Sequence, residues 1–190
     1  MKSRKKSSVS SQIRIIGGRY KGRKLIVSEG PGLRPTGNRI RETVFNWLAP
    51  YLEGASCIDL FTGSGALAIE AASRGAENCF AFDTNQSTCA AIKQSLKQFD
   101  CSTVSVYNND SIEWLKTYTG KIDIAFVDPP FSEDLHDNSL KALCNHSGVH
   151  EDTLIYVEAA KDAVIAIPEG WSWWREKHAG DVLYGVIRQD

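Results

Sequence analysis

Several things are missing from this 190-residue chain, and each absence removes a class of function. No apolar run approaches the roughly 18 residues needed to cross a bilayer, so no transmembrane helix is expected. The opening stretch MKSRKKSSVSSQ is basic and Ser-rich but has no apolar centre, which argues against a secretory signal. The five cysteines (Cys57, Cys79, Cys89, Cys101 and Cys144) are scattered, odd in number and never spaced CxxC. Free thiols in a reducing cytosol are therefore expected, not disulfides or a zinc site, and a cytoplasmic location follows. His136, His146, His150 and His178 show no metal-ligand spacing. Proline is scarce, at six residues, and there is no internal repeat.

What is present is 42% hydrophobic residues, enough for one globular domain with a sizeable core. The net charge of −1 conceals an uneven distribution. Residues 1–50 carry 12 Lys and Arg against two acids, Glu29 and Glu42, whereas residues 51–190 carry 10 against 21. A basic arm on an acidic body implies a polyanionic partner engaged at one end. Residues 1–11 read as a disordered basic tail. The cations Arg14, Arg19, Lys21, Arg23 and Lys24 continue into a segment patterned as folded structure.

Gln12 to Ile16 and Lys24 to Val27 read as strands, with turn glycines between them, forming a basic β-hairpin that with its following loop spans 12–37. Ile40, Val44, Trp47 and Leu48 recur at helical spacing, and Pro50 follows. From residue 56 onward short apolar runs alternate with helix-forming segments. Strands are expected over 56–60, 79–82, 103–107, 122–127 and 153–157, and helices over 66–73, 88–99, 112–118 and 135–144. This rhythm predicts an α/β fold over 38–190, its central sheet mostly parallel and covered on both faces. Trp171–His178 and Val182–Ile187 break the rhythm and read as an antiparallel hairpin closing the sheet edge; Trp171, Trp173 and Trp174 are assigned to packing that hairpin.

In an open parallel sheet, ligands bind beyond the carboxyl ends of the strands. Asp59, Asp83, Asp110 and Asp128 all fall at or near such ends. One acid there is an ordinary N-cap or turn former, but four in successive units repel one another and cost solvation, which a core does not require. Asp59-Leu60-Phe61-Thr62-Gly63-Ser64-Gly65 lacks the third glycine of a dinucleotide fingerprint, since position 68 is Ala. An acid four residues before the first glycine suits a cofactor carrying positive charge and an amino group. Asp83, 24 residues after Asp59, is placed to accept both ribose hydroxyls, and Asp110 to meet an adenine amine. Together these describe a pocket for S-adenosyl-L-methionine.

Asp128-Pro129-Pro130-Phe131 ends the fourth strand across the same crevice. An exocyclic base amine is a weak nucleophile because its lone pair is delocalised into the ring. Asp128 and the Pro129 carbonyl can accept its two N–H bonds, the prolines fix the backbone, and Phe131 can stack on the base. This corner alone suits adenine-N6 as well as guanine-N2 chemistry. A non-catalytic rRNA-binding assembly factor and, more remotely, a NAD-dependent oxidoreductase are the competing classes.

The segments IRIIGGRYKGRKL, LRPTGNRIRETVFNWL, DLFTGSGALAIEAASRGA, FVDPPF, LIYVE and WREKHAGDVLYGVIRQ, in this order, resemble the bacterial RsmD family of 16S rRNA (guanine-N2)-methyltransferases. The resemblance implies a Rossmann-like class I methyltransferase sheet with a small N-terminal β-hairpin extension that engages RNA. It implies transfer from S-adenosyl-L-methionine to one guanine of 16S rRNA, within an assembled or nearly assembled 30S subunit, by a protein working as a monomer. By match, Asp59, Gly63 and Gly65 line the cofactor loop, Asp83 meets the ribose, Asp110 the adenine, and Asp128 to Phe131 the target base. Arg34, Arg39 and Arg41, near the start of a helix, join the hairpin cations as RNA contacts. The chain departs from the pattern at Thr62, where Ala is common, at Ala68, where Gly is common, and at Asn85, where an acid is common.

Overall fold

A computed structural model of the chain describes residues 13–26, 37–130 and 135–190. Helix α1 (Asn38–Leu48) runs through a single 3₁₀ turn at Ala49–Tyr51 into the sheet. Five strands alternate with four helices: β1 (Ser56–Asp59), α2 (Ala66–Ser73), β2 (Asn78–Phe82), α3 (Gln86–Phe99), β3 (Val104–Tyr107), α4 (Ser111–Leu115), β4 (Ile124–Val127), α5 (His136–Cys144) and β5 (Leu154–Ala160). The chain ends in β6 (Trp171–Ala179) and β7 (Val182–Gln189). The seven strands lie in the order β3-β2-β1-β4-β5-β7-β6. The first five are parallel, and β7 and β6 add antiparallel. The expected α/β architecture is therefore present, with small boundary changes: α4 stops at Leu115, short of Tyr118, and β5 continues to Ala160 because β7 pairs with it from Ile155 to Ala160.

Both sheet faces are covered, which is why a strand such as Ile124-Ala125-Phe126-Val127 is apolar at every position and buried throughout. One face packs under α1, α2 and α3. There Phe126 lies between Phe45 and Tyr156, at centroid distances of 5.9 and 6.2 Å. The opposite face packs under α4 and α5 around Leu115, Leu140 and Leu143. Each fully buried side chain of this size contributes roughly 1.5–3 kcal/mol.

The N-terminal segment, 13–26, is a narrow hairpin whose strands meet at one antiparallel bridge, Arg14 with Lys24, flanked by Leu25 N–H to Ile13 C=O at 2.9 Å. The two expected strands are thus reduced to a single bridge, and Gln12 and Val27 lie outside the described residues. The segment is docked, not free. Ile13, Ile15, Tyr20 and Leu25 are buried in the same core as α1 to α3, and Tyr20 stacks on Phe99 at 5.7 Å. Gly18 has φ 70°, and a Cβ there would stand 1.7 Å from the Ser73 carbonyl oxygen, so only glycine lets the segment lie this close to α2.

Candidate active site

Strand register places the acidic residues. Asp59 pairs with Ala81 on one side and Phe126 on the other, and Phe126 pairs with Tyr156. Asp83, Asp128 and Glu158 each lie two residues beyond those partners. Side chains two apart share a face. The three carboxylates therefore form a row across the ends of β2, β4 and β5, on the face that carries α1 to α3, with Asp59 one pleat below them. β1 is the topological switch, with β2 on one side and β4 on the other, so the loop after β1 and the corner after β4 open onto one crevice. Leu60 N–H bonds the Phe126 carbonyl at 3.1 Å and Thr62 N–H the Phe82 carbonyl at 2.8 Å, tying the loop to both neighbours.

Asp59, expected to line the cofactor loop, lies beneath it. It is 1% exposed. Thr62 Oγ1 donates to its Oδ2 at 2.8 Å, and its Oδ1 has no hydrogen-bond partner. Burial pushes its carboxyl up to about 7, against the Thr62 hydroxyl and the Ala68 and Phe61 amides, which favour the ionised form. Above it the loop turns on Gly63 (φ 49°) and on Gly65 (φ 78°), the residue preceding α2. A Cβ on Gly65 would stand 3.1 Å from Ile92 Cγ2. A buried carboxyl under a glycine bend suits a cationic group held above that bend, which is the chemistry of a sulfonium and an ammonium.

Asp83 is half-buried, and burial raises its carboxyl, opposed by the Asn85 and Gly63 amides. Asn85 N–H donates to its Oδ1 at 2.7 Å. Asn85 in turn caps α3, accepting from Ser87 and Thr88 amides. Asp110 is exposed and caps α4: its Oδ1 accepts from Ile112 N–H at 2.8 Å and Glu113 N–H at 3.0 Å. One oxygen of Asp110 is thus committed to a helix start.

At the β4 corner Pro129 is buried, Pro130 is exposed, and Phe131 lies outside the described residues. Beside Asp128 stand three groups the sequence did not mark. Glu158 is 4% exposed, and Tyr156 Oη donates to its Oε2 at 2.7 Å. Burial together with Glu158 and Asp128 pushes the Tyr156 hydroxyl well up, so it remains a proton donor. His136 Nε2 meets the Glu158 carbonyl at 2.9 Å. The available signal was an acid at the end of LIYVE, in the same position relative to its strand as the acids of the preceding units.

The chain matches, over residues 13–188, the family described as conserved hypothetical protein 95. It is 38% identical to ribosomal RNA small subunit methyltransferase D of Haemophilus influenzae over 99% of this chain and 100% of that one. Identity to the Escherichia coli K12 protein of the same name is 39%, over 96% and 93%. The chain belongs to the RsmD family. The solved structure of yhhF from Escherichia coli superposes with a TM-score of 0.85 at 36% identity, covering 94% of this chain and 98% of that one. The sheet is accordingly that of a class I, S-adenosylmethionine-dependent methyltransferase.

The RsmD-family arm carries Arg14, Arg19, Lys21, Arg23 and Lys24 exposed on the docked N-terminal segment. Arg19 lies over the Tyr20 ring at 5.5 Å, Arg23 over Phe99 at 5.2 Å, and Arg23 also donates to the Gln98 carbonyl. Arg39 is exposed on α1. Arg34 lies outside the described residues. Arg41, expected among the RNA contacts, is not at the surface. It is 0% exposed, donates to the Arg14 carbonyl and to Asn38 Oδ1, and stands 3.8 Å from Glu70. It points inward because Glu70, also 0% exposed, requires cations, and Arg41 serves the docking of the arm instead of facing RNA. Glu70 is the centre of that docking. It accepts from the Ile16 and Gly17 amides and from Arg74 Nε, each at 2.8 Å.

Proposed function

We propose that this chain transfers a methyl group from S-adenosyl-L-methionine to the exocyclic N2 amine of a specific guanine in 16S rRNA, acting in the cytoplasm on an assembled or nearly assembled 30S subunit and working as a monomer. The observation that carries this reading is the shared crevice at the β1 switch, where the Gly63–Gly65 bend and the Asp128-Pro129 corner stand on neighbouring strands. The cofactor supplies a sulfonium methyl, an electrophile that needs an aligned nucleophile more than it needs acid or base help. Asp59 gives the bend a carboxyl floor that a cation bound above it draws into the ionised form, Asp83 accepts the ribose hydroxyls, and Asp110 offers an acceptor to the adenine amine through its uncommitted oxygen.

Across the crevice, Asp128 and the Pro129 carbonyl accept the two N–H bonds of the target amine and hold its nitrogen in the pyramidal, nucleophilic form. Phe131 supplies a stacking surface for the base. Glu158 supports guanine over adenine. Guanine presents N1–H beside its amine, two donors that suit neighbouring carboxylates, whereas adenine presents the N1 lone pair, which a carboxylate repels. As the N–CH3 bond forms and the S–CH3 bond breaks, the methylated nitrogen becomes cationic and then gives up one proton to water, so Asp128 positions the amine without having to become the final proton acceptor.

The test is methylation of an in vitro 16S rRNA transcript and of 30S particles, read by mass mapping of nuclease fragments. A methyl on a guanine N2 is the expected product. A methyl on adenine N6 would replace the reading with an adenine enzyme, and cofactor binding without turnover would leave an assembly factor.

A further inference from the structure

We infer that the chain grips RNA in a second place, on a cation–aromatic patch that β6 and β7 share with α1, across the sheet from the docked N-terminal arm. The inference rests on the RNA reading above and adds to it a surface that the arm does not include.

A bulge builds the patch. Register in the β6–β7 pair shifts between Trp173 and Arg175, so Trp173 pairs with Ile187 but Arg175 pairs with Val186. Trp173 packs with the α4–α5 side of the sheet, while Trp174 packs with the α1 side. One extra residue has re-aimed the strand. Beyond the bulge Arg175 and Lys177, opposite Val186 and Tyr184, face the α1 side together with Arg188, while Glu176 and His178 face the other. The edge strand is thus sorted by charge: cations on one face, the acid on its reverse.

These cations lie on rings. The Arg175 guanidinium is 4.5 Å from the Trp174 centroid and 5.9 Å from that of Trp47, Lys177 Nζ is 5.6 Å from Trp47, and Arg188 is 5.9 Å from Trp174. Tyr51, 42% exposed, meets Trp174 edge-on at 5.9 Å. All three cations are exposed, and among the described residues none forms an ion pair. Residues 51–190 are acidic overall, with 10 Lys and Arg against 21 acids, yet three of those ten cations converge here. A guanidinium lying flat on an indole keeps its N–H edge outward for phosphate oxygens, and half-exposed indoles offer stacking surface for bases. Polyanion with aromatic bases is the chemistry this surface fits.

Its place in the sheet suits the same substrate. Lys177 pairs with Tyr184, and Tyr184 pairs with Glu158. Two strand spacings, about 10 Å, separate Lys177 from the carboxylate row on the same face. The N-terminal arm lies on the other flank, over α2 and α3. A strand crossing the crevice would be held on both sides of the nucleotide that enters it.

The experiment uses the full chain with Arg175→Gln, Lys177→Gln and Arg188→Gln, singly and together, and Glu176→Gln as a control on the reverse face. Affinity is measured against a 16S rRNA transcript and against 30S particles over a range of salt, with cofactor affinity and melting temperature checked for each variant. Each single neutralisation is expected to lower the log–log salt slope by about 0.7–0.9, and the triple variant by about 2–3. RNA KM should rise about tenfold or more with kcat and cofactor affinity near wild type, and Glu176→Gln should leave the slope alone. An unchanged slope in a folded triple variant overturns the inference and leaves the charges as protection of an edge strand against self-association. A loss seen with 30S particles but not with the transcript overturns it in favour of a ribosomal-protein contact. If wild-type protein fails to methylate either RNA, the functional reading fails, whatever the patch does.

Discussion

Asp59 and Asp128 stand on hydrogen-bonded neighbouring strands, yet one pleat of register gives them different work. Asp128→Ala should reduce kcat by roughly 100-fold or more, with cofactor affinity near wild type, because an acceptor preorganised for the reacting amine is lost; isothermal titration alongside turnover separates the two effects. Asp83→Ala should weaken cofactor binding roughly 10–100-fold, the loss expected for a hydrogen bond to a charged group. Asp59 governs stability. Its carboxyl is raised from the ordinary 3.8 to about 7, so the folded state holds a proton that the unfolded state releases in that window. The stabilisation is complete below the unfolded value and is lost as pH climbs through about 7. Denaturant midpoints of wild type against Asp59→Asn should therefore diverge as pH rises from 5 to 8, with the Asn variant the more stable at the alkaline end. Residue placement was legible where a local pattern marks it, as with Asp128, which follows the last residue of β4 and precedes two prolines. Arg41 was not: an Arg in RIRE reads as a helix face, and its acid, Glu70, is 29 positions away.

Elements were more legible than residues, because parallel strands buried on both faces must be short apolar runs and the helices between them must be longer. The boundaries that moved did so for tertiary reasons. β5 runs through Glu158 to Ala160 because β7 supplies partners for it. The N-terminal hairpin was recognisable by charge and glycine, but not its attachment. Glu70 in ALAIEAAS looks like an ordinary solvent-facing helix former and is in fact fully buried against two backbone amides and two arginines. Glu70→Ala should cost roughly 3–5 kcal/mol in denaturant unfolding, since Arg41 would be left as an unmatched buried charge. The same substitution should weaken RNA binding far more than cofactor binding, and a variant with equal losses in both would show that the arm is not a separate contact.

At the scale of the whole molecule, charge is partitioned: residues 1–50 are basic and residues 51–190 acidic, the arrangement that the proposed function requires for a cationic cofactor and a polyanionic substrate. Neutralising Arg19, Lys21 and Arg23 together should flatten the salt dependence of RNA affinity, each lost phosphate contact lowering the slope by about 0.7–0.9; a fixed slope would remove the arm from the interface. The two ends of α2 bear on this partition. Its first residue follows Gly65 in the crevice, and its last, Ser73, bonds the Tyr20 amide and the Gly17 carbonyl of the arm. Eight residues make a strut of about 12 Å. A one-residue insertion within it would swing Ser73 and Glu70 round the axis by about 100° and uncouple arm from crevice without touching either. Under the proposed function the helix is a gauge block: a nucleotide backbone seated on the arm would lie at a fixed stand-off from the methyl donor, and only a base able to bridge that gap would be presented for modification.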